Sequence, residues 1–523
     1  MKRFIALILA VLMIAVFPVT LNSASYKLGD INIDGAINAK DVLLLRRYIA
    51  GLENSIIEAA ADVNGSGDIN FADVLLLRRH IVREVTIEQI PIADAYIGDM
   101  YISGVSVREY SIVVPAECDV FTAYAAELLQ DYVDDKTGIE IPIITDASEE
   151  SDYEFLIGET NRAESVLASS AVTLGNNQYL LKQDGGKIVM LGNSYMIGAG
   201  VGKFTYDYIT YDPSRISQIC NINDLPSTNA AMTYQPRPAK NAILMIGDGM
   251  GQNHVSASVR YNLARNEEPG YTEFSATRLP YSALVTTSSV DTINSGGTTP
   301  TDSSAAGTAL ACGIKTKNHY VGLDRNQRTV LNIRELAVSF GKRNAIMSTE
   351  LKEGATPACY LIHYPERTQL DQIGILENAV TDCDYIKGDI EENLLPETKY
   401  ALDMLSTNNE AGFFTMIEEA RIDTYSHTND RAQTLHAMAR FNKAIQYAMV
   451  FTVAHPDTLL IITADHETGG VGNGFNFTVK THTTANVNVF AIGSGAERFS
   501  GTVDNTLIPK VIAAQWGVNN FGS

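Results

Sequence analysis

The sequence predicts an α/β protein. A large C-terminal domain is built on a mostly parallel sheet, a smaller α/β sandwich precedes it, and an all-α module lies nearer the N-terminus. Three observations predict this. From 239 to 523, apolar runs alternate with amphipathic stretches, the pattern of strands joined by crossover helices. From about 96 to 230, strand-like and helix-like segments alternate on a smaller scale. From 29 to 81, one loop-and-helix unit occurs twice at an offset of 32 residues.

Each part is bounded by its composition. The 523 residues suffice for several domains and a large core. A net charge of −22 repels nucleic acid and leaves no basic groove to read it. It also repels phosphate esters, so a phosphate site would have to be made positive locally. Residues 1–24 read as a secretory signal: Lys2 and Arg3 precede the apolar run Phe4–Val19, and Ala24 suits cleavage. No other segment is long and apolar enough to span a bilayer, so the expectation is a secreted protein with no membrane contact after cleavage. Five cysteines, Cys118, Cys220, Cys312, Cys359 and Cys383, are spaced irregularly, which gives neither a disulfide framework nor a zinc motif.

The repeated unit sets oxygen donors at loop positions 1, 3, 5, 9 and 12 with glycine at 6. The first copy has Asp30, Asn32, Asp34, Asn38 and Asp41; the second has Asp62, Asn64, Ser66, Asn70 and Asp73. Position 7 offers the backbone carbonyls of Ala36 and Asp68. This is calcium-loop spacing, because a hard cation wants six or more oxygens around a tight turn. Each loop runs into a helix with apolar residues at Val42, Leu45 and Ile49, or Val74, Leu77 and Ile81. Two loop–helix copies with no leading helix resemble a type I-like dockerin over residues 26–84. The resemblance implies two Ca2+ ions and docking to a cohesin domain of a scaffold protein, as in cellulosomes. Ala39-Lys40 and Phe71-Ala72 stand where many dockerins carry a Ser-Thr pair. We assign the module to 25–85.

In the block 96–230, Ser111–Pro115, Glu140–Ile144, Glu154–Gly158 and Lys187–Leu191 read as strands. Thr122–Val133 and Gly200–Ile209 read as helices, and Asp184-Gly-Gly-Lys187 as a hairpin turn. The block resembles the non-catalytic N-terminal domain of several glycosidases, and its expected role is spacing and packing.

The chemistry lies in 239–523. An apolar strand ends on Asp248, and Asp302-Ser303 opens an Ala/Gly-rich helix. Free N–H groups and the dipole at a helix N-terminus favour a phosphate. A nearby carboxylate holding a metal would make the serine a nucleophile. Further candidates also come directly after apolar runs: Glu418 after Phe413–Ile417, and Asp465-His466 after Leu459–Ala464. Asp423 and His427, four apart, share one helical turn, and His482 lies just before the strand Val487–Ile492. Ligands gather outside the carboxyl ends of strands in open α/β sheets. Three histidines with several aspartates and no cysteine suit zinc bound through nitrogen and oxygen.

These segments resemble the alkaline phosphatase family in Ile-Gly-Asp248-Gly-Met-Gly, Thr-Asp302-Ser303, Ala355-Thr356-Pro357, Glu418-x4-Asp423-x3-His427, Thr-Ala-Asp465-His466 and His482-Thr. The resemblance implies a three-layer α/β/α fold, two Zn2+, one Mg2+, and hydrolysis of phosphate monoesters through a phosphoserine. It places Asp423, His427 and His482 on the first zinc. Asp465, His466 and Asp248 go on the second, beside the nucleophile Ser303. Asp248 is shared with a magnesium site that also uses Glu418 and Thr356. Arg367 lies at the family's spacing for a phosphate-clamping arginine. Ser304 is the rival nucleophile, but one residue further along a helix turns it about 100° away. The family usually has Asp or His two residues before Thr356, whereas this chain has Gly354 with Glu353 adjacent; the expectation is a weaker third site completed by water. A phosphodiesterase of the same superfamily and an inert scaffold-bound homologue are the rival readings.

Overall fold

The computed structural model describes 29, 31, 37, 39–49, 61, 63, 69 and 71–81 near the N-terminus. Beyond these it describes 100–523 apart from 211–217, 221–224, 373–379, 381 and 408. The chain divides into two units, one carrying the repeats and one holding nearly all of 102–523. The expected signal segment lies outside the described residues, and no described helix is long and apolar enough to cross a membrane.

In the repeat unit, helices α1 (Ala39–Ile49) and α2 (Phe71–Ile81) form as the apolar spacing predicts. Leu45, Val74, Leu76 and Leu77 share a core with Ile31, Ala61 and Val63, and Val42, Ile49 and Ile81 pack on it. Asp41 and Asp73, the last donors of the two loops, are fully buried. Ile31 N donates to Asp41 Oδ1 at 2.7 Å, which closes the first loop onto its helix. The remaining calcium-ligand candidates, Asp30, Asn32, Asp34, Ala36, Asn38, Asp62, Asn64, Ser66, Asp68 and Asn70, lie outside the described residues.

The second unit holds two principal sheets. The first comprises β1 (Ser111–Val114), β2 (Ile143–Thr145), β3 (Glu154–Ile157), β4 (Gln178–Asp184), β5 (Lys187–Gly192) and β6 (Met232–Thr233), ordered β6-β4-β5-β3-β1-β2. The hairpin at 184–187 is present: Asp184 pairs with Lys187, and Gly185 supplies the positive φ of 61° that the tight turn requires. Helix α3 (Val120–Thr137) extends past both ends of the expected Thr122–Val133, and Asp119 caps it by accepting from Phe121 N and Thr122 N. Helix α4 is shorter than the sequence suggests, spanning Ile197–Lys203 before the chain loosens into a π-turn over Phe204–Tyr208.

The larger sheet has eight strands. They are β7 (Asn241–Gly247), β8 (Tyr281–Thr286), β9 (Arg343–Ser348), β10 (Tyr385–Lys387), β11 (Phe413–Glu419), β12 (Thr458–Thr463), β13 (Val487–Ile492) and β14 (Thr502–Asp504). Their order is β10-β9-β11-β7-β12-β13-β8-β14. β7 and β11 are buried on both faces along their whole length, which explains their largely apolar sequences. Every pairing is parallel except the two made by β13. That reversal brings the start of β13 to the edge where the other strands end. Helices α5 (Ser303–Cys312), α6 (Ala355–Leu361), α7 (Arg421–Thr428) and α8 (Arg431–Ala454) accompany the sheet. α4 packs on α8 at two glycines: a Cβ at Gly198 would sit 2.8 Å from Val450 Cγ1, and one at Gly202 only 2.4 Å from the Ala454 carbonyl. Only glycine permits that approach, so the smaller sheet is seated on the larger domain through a helix pair.

Candidate metal and phosphate site

Topology gathers the candidates at one edge. Asp248 comes directly after β7, Glu418 sits one residue from the end of β11, and Asp465-His466 lie just past β12. In register, Glu418 pairs with Ile246 of β7 and Ser348 of β9, the last turn of three neighbouring strands. His482 precedes the reversed strand β13, so it enters the same edge from the opposite chain direction. α7 supplies Asp423 and His427 one turn apart.

Two clusters result: Asp423 with His427 and His482, and Asp248 with Asp465 and His466. Within each, the donor atoms lie within 4.8 Å of one another. The residues that the family resemblance assigns to two zinc ions are thus brought together in the same two sets.

Hydrogen bonding fixes the histidine tautomers. A carbonyl can only accept, so His427 Nδ1 donates to Lys480 O at 2.8 Å and His482 Nδ1 to Thr301 O at 2.9 Å. Thr468 gives its hydroxyl proton to Asp423 Oδ1, so His466 Nδ1 donates to Thr468 Oγ1 at 3.3 Å. All three rings therefore present Nε2 to the site. His427 Nε2 lies 3.3 Å from Asp423 Oδ2, and His482 Nε2 lies 3.5 Å from Asp423 Oδ1. His466 Nε2 lies 3.2 Å from Asp465 Oδ2 and 3.5 Å from Asp248 Oδ1. A bare ring nitrogen facing carboxylate oxygens is unfavourable unless a proton or a metal ion lies between them.

The unpaired oxygens give the same answer. Asp248 Oδ1, Asp465 Oδ2, Glu418 Oε1 and Thr356 Oγ1 are buried without a hydrogen-bond partner. Burial, then the charges of Asp465, Asp423, Glu418 and Glu350, push the Asp248 carboxyl well above its ordinary range. Burial and Glu350 do the same to Glu418, and burial lifts Asp465 to about 7. Burial opposes charge at Asp423 too, but the histidines outweigh it and hold that carboxyl low. The Asp423 hydrogen bond raises His427 to about 9, so a proton is attracted where a cation would be. The donor set, nitrogen and oxygen without thiolate, fits zinc in both clusters.

Ser303 opens α5 behind the N-cap Asp302, whose carboxylate accepts from Ala305 N at 2.9 Å. Its Oγ lies 3.2 Å from His466 Nε2. Ser304 turns away and gives its hydroxyl to Asp302 Oδ2 at 2.8 Å. Arg367 Nη1 stands 3.6 Å from the same Asp302 oxygen, and the Arg367 side chain is 30% exposed. A guanidinium, a helix N-terminus and the Ser303 hydroxyl, bonded to His466 Nε2, thus converge on one spot.

Sequence reasoning passed over one residue. A Cβ at Gly354 would fall 1.8 Å from Glu350 Oε1 and 2.2 Å from its carboxyl carbon. The volume left open by the missing side chain is therefore filled by Glu350, two residues past the end of β9. Its only signal in the sequence was a carboxylate just beyond a strand.

An eight-stranded, mostly parallel sheet with a metal-ligand edge beside a serine that opens a helix is the arrangement that the sequence resemblance leads one to expect. Residues 239–397 and 385–478 match the Alkaline phosphatase family model, and residues 28–82 match the Dockerin type I domain model. Over 239–478 the chain is thus similar to the alkaline phosphatase family, and over 28–82 to the dockerin type I domain. Alkaline phosphatase 4 of Bacillus subtilis is 31% identical over 303 residues, which cover 45% of this chain and 63% of that protein. Alkaline phosphatase 3 of the same organism is 28% identical over 294 residues, 45% of this chain and 62% of that one. The chain thus spans less than two thirds of the length of these curated relatives. The solved alkaline phosphatase of the Antarctic bacterium TAB5 aligns over 53% of this chain and 98% of its own, with a TM-score of 0.47 and 23% identity.

Proposed function

We propose that the chain is a secreted, metal-dependent phosphomonoesterase that is carried to a cohesin-bearing scaffold by its dockerin. The observation that carries the reading is the position of Ser303. Its hydroxyl lies at a helix N-terminus, 3.2 Å from His466 Nε2, beside buried carboxylate oxygens that lack any partner.

Asp423, His427 and His482 would hold one zinc, and Asp248, Asp465 and His466 the other. Zinc bound there supplies Lewis acidity that lowers the pKa of the serine hydroxyl and neutralises charge on the departing oxygen. Ser303 Oγ, its proton given up to water, attacks phosphorus as the P–O bond to the alcohol breaks; the phosphoryl group passes to the serine and the departing alkoxide takes a proton from water. The N–H groups opening α5 and the Arg367 guanidinium hold the equatorial oxygens, where negative charge is spread in the transition state. Water then attacks the phosphoserine from the side the alcohol left, releasing phosphate and restoring Ser303. Asp302 caps α5 and accepts from Ser304, which keeps Ser303 alone aimed at the substrate.

Glu418, Thr356 and Arg367 favour monoesters over diesters, because they add positive charge or metal-binding capacity for a dianionic phosphoryl group. The stretch between Arg367 and Phe413 is short, which fits an open pocket and broad ester tolerance. In the dockerin, Asp41 and Asp73, both buried, would be the closing donors of two calcium sites. The test is aryl phosphate turnover by the full chain before and after chelation and zinc restoration, beside a diester in the same preparation. Zinc-restored monoester turnover is expected; turnover unchanged by chelation, or diester hydrolysis at the faster rate, would overturn the reading.

A further inference from the structure

The residue two before Thr356 is glycine, and the backbone does not demand one there. Gly354 sits at φ −55° and ψ 157°, a conformation open to any residue. What excludes a side chain is space, since Glu350 Oε1, Cδ and Cγ stand 1.8, 2.2 and 2.7 Å from where its Cβ would be.

Glu350 is held there from both sides of its backbone. Its N–H donates to Ser348 Oγ at 3.0 Å, and its carbonyl accepts from Asp389 N at 2.6 Å. Ser348 in turn gives its own hydroxyl to Glu418 Oε2, so the end of β9 is tied to the acidic end of β11. Thr356 Oγ1, Glu418 Oε1 and Asp248 Oδ1 are buried without a hydrogen-bond partner, on residues that are 0, 0 and 5% exposed. The charge of Glu350 is felt at both Asp248 and Glu418. Three carboxylates and a hydroxyl, with no nitrogen or sulfur among them, suit a hard octahedral cation that keeps some of its water.

We propose that Glu350 is a protein ligand of a magnesium site shared with Asp248, Thr356 and Glu418, and that Gly354 is the space that admits its carboxylate. The inference rests on the metal-phosphatase reading above; the new elements are the ligand and the reason for the glycine. The third site then has four protein oxygens, with water at the remaining octahedral positions, rather than being weakened by a missing side chain.

The test uses full-length protein loaded with zinc and titrated with magnesium by calorimetry, with zinc content measured in parallel. Glu350→Gln should weaken magnesium binding at least about ten-fold while zinc content stays at the wild-type level. In chelator, Glu350→Gln should melt no lower than wild type, because it removes one of several mutually repelling carboxylates. Gly354→Asp alone should also lose magnesium affinity, and adding Glu350→Ala to it should restore part of that affinity. Magnesium binding unchanged in Glu350→Gln would overturn the proposal, as would a lower melting temperature of that variant in chelator. In either case zinc-dependent turnover would leave the wider reading standing. Wild-type protein that takes up neither metal would overturn both.

Discussion

His427 Nε2 and His482 Nε2 face each other at 3.1 Å, while Nδ1 of each ring donates to a backbone carbonyl. Two imidazoles so anchored cannot satisfy each other as neutral rings. Zinc should therefore stabilise the fold as well as serve the reaction. At one hundred times its Kd, a single ion contributes about 2.7 kcal/mol. Calorimetric melting in chelator should fall by several degrees and recover on zinc addition, and His482→Ala should lose most of that recovery. Identical melting with and without zinc would contradict the prediction.

Ser303 and Ser304 are adjacent but do different things. Ser303→Ala removes the attacking oxygen and should lower turnover at least ~10^3-fold with metal content retained. Ser304→Ala removes one hydrogen bond to Asp302, worth about 1 kcal/mol, and should cost less than about ten-fold. Steady-state kinetics with metal analysis on both variants distinguishes the roles, and the reverse order would reassign the nucleophile.

Arg367 is expected to act on the phosphoryl group rather than on the fold. Arg367→Ala should raise the inhibition constant of inorganic phosphate by about 10- to 100-fold, the loss of one charged hydrogen-bonding pair. Arg367→Lys should recover only part of this, because an ammonium cannot grip two oxygens in one plane. Unchanged phosphate inhibition in Arg367→Ala would remove it from the site.

Glu419 lies beside the site yet belongs to the fold. It is fully buried, with Arg440 Nε donating to Oε2 at 2.8 Å and Nη2 to Oε1 at 2.9 Å. Arg440→Ala leaves that carboxylate uncompensated and should destabilise by about 3–5 kcal/mol, whereas the double variant with Glu419→Gln should cost less. Denaturant unfolding of wild type, the two single variants and the double variant measures the coupling; strict additivity would contradict it.

A pH-dependent contribution lies away from the metals. His363 has Nδ1 2.7 Å from Gly322 O and Nε2 2.8 Å from Glu335 Oε1, so both nitrogens face acceptors. Burial opposes the charge, but the Glu335 hydrogen bond, the Gly322 carbonyl and the Glu335 charge outweigh it and raise His363. Burial also opposes charge on Glu335, and the His363 bond leads the effects that lower it. The His363 share is full below the unfolded value of about 6.5 and fades as pH rises through the raised value. The Glu335 share is full above about 4.3 and fades as pH falls through the lowered value. His363→Gln should therefore reduce the melting temperature most between about pH 4.3 and 6.5. A loss of equal size at pH 9 would contradict the pairing.

Much of the site was legible in the sequence because strand ends carry the chemistry. Asp248, Glu418 and Asp465-His466 stand at the ends of apolar runs, and Asp423 with His427 shows helical spacing. His482 was found from its place before a strand, but only the reversed direction of β13 explains why that position reaches the same edge. Glu350 was not legible, because its meaning depends on the volume above Gly354, and sequence spacing carries no information about volume. The same holds for Ser304: a helical rotation predicts that it turns away, but its bond to Asp302 appears only in the folded chain.

The most direct test is to quench zinc-loaded full-length protein in acid during turnover of an aryl phosphate and map the modified peptide by mass spectrometry. The account predicts one phosphoryl group on Ser303, lost when zinc is stripped beforehand. A phosphoryl group on Ser304, or turnover with none trapped on either serine, would contradict it.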